Sequence, residues 1–193
     1  MDILGSVSDA DVDGALPKIA EGLKKYCWLQ ANLNPLGMEF QQNFKGFYKV
    51  RRDEQWCEWY FGLMEESNRN RMSFKIVLNR LWLKTGWIEA SFASKLVATL
   101  EPQLPVIDKF VLKNLNMRLP YFSKSDREHE TVEVYKQLCA KYDELLASAK
   151  GRMICKKFQR KYRDSEITEV KMIDLVLWKI RESGKIPTIY IGT

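Results

Sequence analysis

The chain has 193 residues, 46% of them hydrophobic and 12% aromatic, enough for a full core without disulfide or metal staples. No stretch approaches the roughly 18 consecutive apolar residues of a membrane span, and the start "MDILGSVSDADVDG" lacks the basic and apolar regions of a signal peptide. A cytoplasmic protein with a modest basic excess, +6 at neutral pH, is therefore expected.

The pattern is helical almost throughout. In "LPKIAEGLKKYCWLQANL", Leu16, Ile19, Leu23, Tyr26 and Leu33 mark one face, Pro17 suits a first turn, and Asn34-Pro35 ends the segment. "MEFQQNFKGFYKVRR" is ambiguous: Phe40, Phe44 and Tyr48 recur every four residues, yet Gly46 could open an extended stretch. "DEQWCEWYFGLMEES" places Trp56, Trp59, Tyr60, Leu63 and Met64 on one helical stripe. A further helix starts at a Ser73 cap and stops at Gly86. Helices from about Ser91 to Leu100 and Pro105 to Leu115 follow, separated by a corner that Pro102 opens.

Beyond a polar loop, "NMRLPYFSKSDREHE", a long helix carries Leu138, Tyr142, Leu145 and Leu146 inward. A shorter basic one spans Arg152 to Arg163, and "SEITEVKMIDLVLWKIRESG" runs to Gly184, followed by the apolar tail "KIPTIYIGT". The expectation is an all-α domain of eight or nine helices over residues 1–193, with 1–50 and 119–193 as a possible shell around a 51–118 core. No strand–glycine-loop–helix unit of a nucleotide-binding fold is present.

Cys27, Cys57, Cys139 and Cys155 are scattered without a C-x-x-C pair, so they read as core thiols, and neither a metal site nor a cofactor is expected. His129 is the only histidine, which leaves carboxylates or lysines to carry any chemistry. The charge is clustered. "KGRMICKKFQRKYR" and "NRNRMSFKIVLNRLWLK" are rich in Lys and Arg and hold no acid, a pattern that fits either a polyanion partner or a solvated helix face.

In "LEPQLPVIDKFVLKNL", Asp108 falls in the first turn of a helix or at its cap, where a carboxylate is stabilising without any catalytic role. With the preceding "GWIEASFASKLVATL", this corner resembles the helix–hairpin–helix DNA glycosylase superfamily (HhH-GPD) over residues 55 to 118. That resemblance implies DNA repair by base excision, with Asp108 at the mouth of a base-binding pocket. There the carboxylate would stabilise the oxocarbenium-like sugar and orient water in a hydrolysis of the N-glycosidic bond. It further implies a flipped base stacked on aromatics, for which Trp56, Trp59, Trp82 and Trp87 are candidates beside an ordinary core role. Lys95, Lys156, Lys157, Arg160 and Lys161 would hold DNA phosphates, although Lys95 also fits a snorkelling surface lysine. The sequence departs from the family in keeping only Gly86 in the hairpin. It also carries Ala90 where lyase-type members have a nucleophilic lysine, which points to a monofunctional enzyme.

Asp174 interrupts the apolar run "KMIDLVLWKI", three residues after Lys171 and seven before Arg181. It reads as an intrahelical surface salt bridge, as a partly buried pair against the Asp108 corner, or as a second carboxylate of the same site. The rival functional reading is a non-catalytic module that binds DNA or a protein partner on the same scaffold.

Overall fold

Local chemistry sets most of the helix boundaries. The computed structural model describes residues 7–181, and among them lie ten α-helices and one 3₁₀ turn, with no strand. They are α1 (Asp9–Ala15), the 3₁₀ turn (Leu16–Lys18), α2 (Ala20–Ala31), α3 (Met38–Tyr48), α4 (Glu54–Asn70) and α5 (Phe74–Thr85). Then come α6 (Ala90–Leu100), α7 (Lys109–Asn114), α8 (Arg127–Ala147), α9 (Ala149–Lys161) and α10 (Glu169–Lys179). Ser73 caps α5, and Gly86, at φ 74°, stops it in the left-handed region, both where the sequence places them.

Three elements differ from expectation. α1 was not anticipated: Ser8 and Asp11 form a reciprocal capping box, hidden in a start that reads only as acidic and polar. α3 continues through Gly46, because burial of Phe40, Phe44 and Phe47 on one face outweighs the cost of one glycine. α7 is shorter than predicted and begins at Lys109, after Pro105, Val106 and Ile107 run extended and buried. Tertiary bonds hold that run out of the helix: Tyr135 donates to the Pro105 carbonyl at 3.1 Å, and the Ile107 amide donates to Ser94 Oγ at 2.9 Å.

One hydrophobic core runs from Val7 to Ile180 and draws on every helix. Phe44 meets Tyr60 and Phe61, and Phe47 meets Trp178, so the first three helices close over α4 on one side and α10 on the other. α9 turns back on α8 at Ser148, where a side chain on Gly151 would collide with the Leu145 carbonyl at 1.9 Å. Cys57 and Cys155 are buried and Cys27 and Cys139 half-buried, all as free thiols. No described helix is long and apolar enough to cross a membrane. The predicted stop at Gly184 and the tail from Lys185 lie outside the described residues.

α10 is buried on all sides from Val170 to Leu177, with α1, α7, α8 and α9 packed around it. Two charges lie inside that stretch. Lys171 Nζ meets Asp174 Oδ2 at 2.9 Å, and Tyr142 donates to Asp174 Oδ1 at 3.0 Å. The intrahelical bridge is formed, but in the interior and not at the surface: Lys171 is 1% exposed and Asp174 6%. Arg181 takes no part in the pair; its guanidinium lies over Phe110 and donates to the Trp178 carbonyl. Burial disfavours the Lys171 ammonium, but Asp174, Tyr48 and Tyr26 together outweigh this and hold its pKa above the ordinary lysine range. Removing one partner strands the other charge, so Lys171→Met is expected to cost about 3–5 kcal/mol in urea unfolding. Lys171→Met with Asp174→Leu should recover most of that loss, and equal losses in the single and double variants would contradict the account.

Candidate active site at the Asp108 corner

Asp108 is held by the backbone that follows it. Its Oδ1 accepts the Phe110 amide at 2.7 Å and caps α7, while Oδ2 accepts no hydrogen bond among the described residues. The residue is half-buried and faces two depressions. One is a small cavity of about 140 Å³ lined by Tyr48, Lys49, Lys95, Asp108, Asp174 and Trp178. The other is a more open groove of about 620 Å³ that Asp108 shares with Lys109, Lys113 and Arg118. A cavity of roughly 150 Å³ admits one benzene-sized ring, so the smaller space suits a single flat ring and the groove the chain attached to it.

Five separate segments build the cavity: the end of α3, the middle of α6, the corner before α7, α7 itself through Val111, and α10. Asp108 and Asp174 therefore line one site although 66 residues separate them in sequence. Asp174 is committed to Lys171 and Tyr142, which leaves Asp108 as the carboxylate with an open oxygen.

Lys95 is the amine of the site. It is half-buried on α6, with Nζ 5.0 Å from the Phe92 ring centre, 5.7 Å from that of Tyr48, and 3.4 Å from the Tyr48 carbonyl. Burial lowers its pKa from the ordinary lysine value, and the Asp108 charge opposes that shift. The snorkelling reading is accordingly replaced by a cavity-lining one. Ala90 is buried at the start of α6 and does not line the cavity. The Tyr48 hydroxyl is held by Thr99 Oγ1 at 3.2 Å, and burial raises its pKa.

The tryptophans fall elsewhere than expected. Trp56 is buried and stacked on Tyr60 at 4.8 Å, and Trp59 is half-buried under Lys84. Trp82 and Trp87 are 45% and 64% exposed, so neither takes the ordinary core role. None of these four lines the Asp108 cavity or groove; the tryptophan that does is Trp178, which the sequence reading passed over as part of an apolar helix.

The basic residues sort in a similar way. Lys157 is engaged by Asp13 at 2.8 Å, while Lys156, Arg160 and Lys161 are exposed on α9, which contributes nothing to the cavity or groove. A different set gathers beside Lys49, which lines the cavity. Lys179 feels the positive charges of Arg181, Lys49 and Lys18, and only Glu21 opposes them; burial and these neighbours depress its pKa. Lys179 and Arg181 are near neighbours in sequence, but Lys18 and Lys49 join them only when the 3₁₀ turn, the end of α3 and the end of α10 pack.

A larger depression, about 800 Å³, lies between the start of α5 and α8 and shares no residue with the Asp108 site. Its rim mixes Glu101, Glu128, Glu133 and Asp143 with Arg71, Lys75 and Lys136, so it offers a polyanion no single-signed field. Among the described residues no group of His, Cys, Asp and Glu side chains could hold a metal ion. Comparison with protein-family models, curated proteins and solved structures returns no match.

The Lys95 environment has a thermodynamic signature. Its folded pKa lies below the unfolded value of about 10.4, so the unfolded chain binds more protons between the two. Stability should therefore rise with pH through that window. Urea unfolding of the protein and of Lys95→Met at pH 7.5 and pH 10 tests this: the wild type should gain relative to the variant at the higher pH, and parallel curves would refute it.

Proposed function

We propose that this protein is a cytoplasmic nucleic-acid-binding enzyme that releases a base from an extruded nucleotide. One observation carries the reading: Asp108 stands between a cavity the size of one ring and an open basic groove, with Lys95 on the cavity wall. In the hydrolytic form, the bond between C1′ of the sugar and the base nitrogen breaks and its electron pair leaves with the base. Asp108 stabilises the positive charge left on the sugar and directs water to C1′, while a proton reaches the departing base. The Lys49, Lys179 and Arg181 rim supplies the field for the flanking phosphates.

Lys95 supports a second form. A buried amine with a lowered pKa is a better nucleophile than a surface lysine. Its attack on C1′ would expel the same base, and breaking of the C1′–O4′ bond would open the sugar ring to an imine at C1′ and a hydroxyl at C4′, the protons of the amine passing to the base and to O4′. Borohydride reduces an imine to a stable secondary amine, so the two forms separate by whether a protein–DNA adduct can be trapped.

The tests use duplexes carrying a panel of damaged and mismatched bases, with base release and borohydride trapping as readouts. Asp108→Asn keeps a good helix cap but removes the charge, and base release should fall about 10²–10³-fold with the melting temperature little changed. Lys95→Met should abolish trapping if the imine forms and leave release intact if water is the nucleophile. Binding without release on every substrate would leave the interaction-module reading standing.

The rim makes its own prediction. Each phosphate contact contributes about −0.9 to the log–log salt slope of duplex binding. Lys49→Gln and Lys179→Gln should each flatten that slope by close to one contact, whereas Lys157→Gln, already paired with Asp13, should not. The opposite ranking would move the nucleic-acid face to α9.

A further inference from the structure

The connection from α7 to α8 presents its two aromatic residues to solvent. Tyr121 is 65% exposed and Phe122 77%, side by side after Pro120, in a turn closed by the Lys124 amide on the Tyr121 carbonyl at 3.3 Å. A polar loop gains nothing from two adjacent rings in water, and surface apolar groups gathered in this way usually mark a contact. Both rings are held by arginines. The Arg118 guanidinium sits 5.4 Å from the Tyr121 ring centre and donates to its hydroxyl at 3.2 Å, and the Arg127 guanidinium is 4.0 Å from the Phe122 ring centre.

The turn is joined to the Asp108 site. Arg118 and Leu119 form part of the same open groove as Asp108, Lys109 and Lys113, and the chain passes directly from them to the two rings. A basic groove that ends in exposed, guanidinium-backed aromatics is the combination that binds unpaired bases. Phosphates follow the cations, and bases stack on the rings. Phe122 has no hydrogen-bonding group, so its stacking accepts any base.

We infer that the Tyr121–Phe122 turn is a base-stacking platform that holds the unpaired bases beside the nucleotide engaged at Asp108. This rests on the nucleic-acid reading of the groove and adds to it a second binding element that contacts bases and not the backbone.

The experiment is a salt series of binding to a fluorescent duplex with a short unpaired gap, for wild type, Tyr121→Ala/Phe122→Ala and Tyr121→Trp/Phe122→Trp. Loss of stacking should weaken the alanine pair by about tenfold or more at every salt concentration with an unchanged log–log slope, since no phosphate contact is lost. The tryptophan pair should bind as well as wild type. Equal binding by wild type and the alanine pair overturns the platform and leaves the groove reading in place. A loss accompanied by a flatter slope also overturns it, because the turn would then act through phosphates. Absence of wild-type binding at low salt overturns the nucleic-acid reading and the platform with it.

Discussion

α10 is enclosed on every side from Val170 to Leu177, and the two charges within that stretch tolerate the enclosure only because they meet each other. A lone buried ammonium or carboxylate is costly to take out of water. The 2.9 Å contact between Lys171 and Asp174, completed by the Tyr142 hydroxyl, neutralises both within one turn of helix. That contact specifies more than it stabilises, since a well-packed apolar replacement of such a pair is often no less stable. Its consequence is positional. With Asp174 tied to α8 through Tyr142, α10 has one rotation about its axis, and that rotation turns Trp178 toward α3 and the Asp108 corner.

The corner depends on that placement in turn. Pro105 to Ile107 run extended because their polar groups are satisfied by Tyr135 and Ser94, not by the helix ahead of them. α7 then starts four residues later than its proline suggests, at Lys109, and Asp108 becomes its cap. Capping uses one carboxylate oxygen, and the same residue lines the cavity, so a helix cap and a cavity wall coincide at Asp108. Asn114 closes the arrangement from the far end of α7, donating to the Leu177 carbonyl of α10 at 2.8 Å.

Much of the fold was legible because helix signals are local. The Ser73 cap, the Gly86 stop, the Trp56 stripe and the proline break at the corner each depend on residues within one or two turns of each other. Where the local signal was split, as at Gly46, packing of Phe40, Phe44 and Phe47 decided it. The site was less legible. Lys95 and Asp108 could be singled out as residue types, but the ring-sized space between them belongs to five segments. Trp178, Lys49 and Lys179 carried no local mark at all.

The sequence by itself determined the all-α class, most helix limits, and the residues able to do chemistry: a chain with one histidine and scattered cysteines leaves carboxylates and lysines. The tertiary structure decided which of them meet. It buried Asp174 with Lys171, moved Lys95 from a presumed surface to a cavity wall, left the α9 basic run outside the site, and gathered Lys18, Lys49, Lys179 and Arg181 from three elements. The reason is one of range. Caps and periodicity act over a few residues along the chain, whereas burial, charge pairing and cavity shape depend on distances in space between segments far apart in sequence.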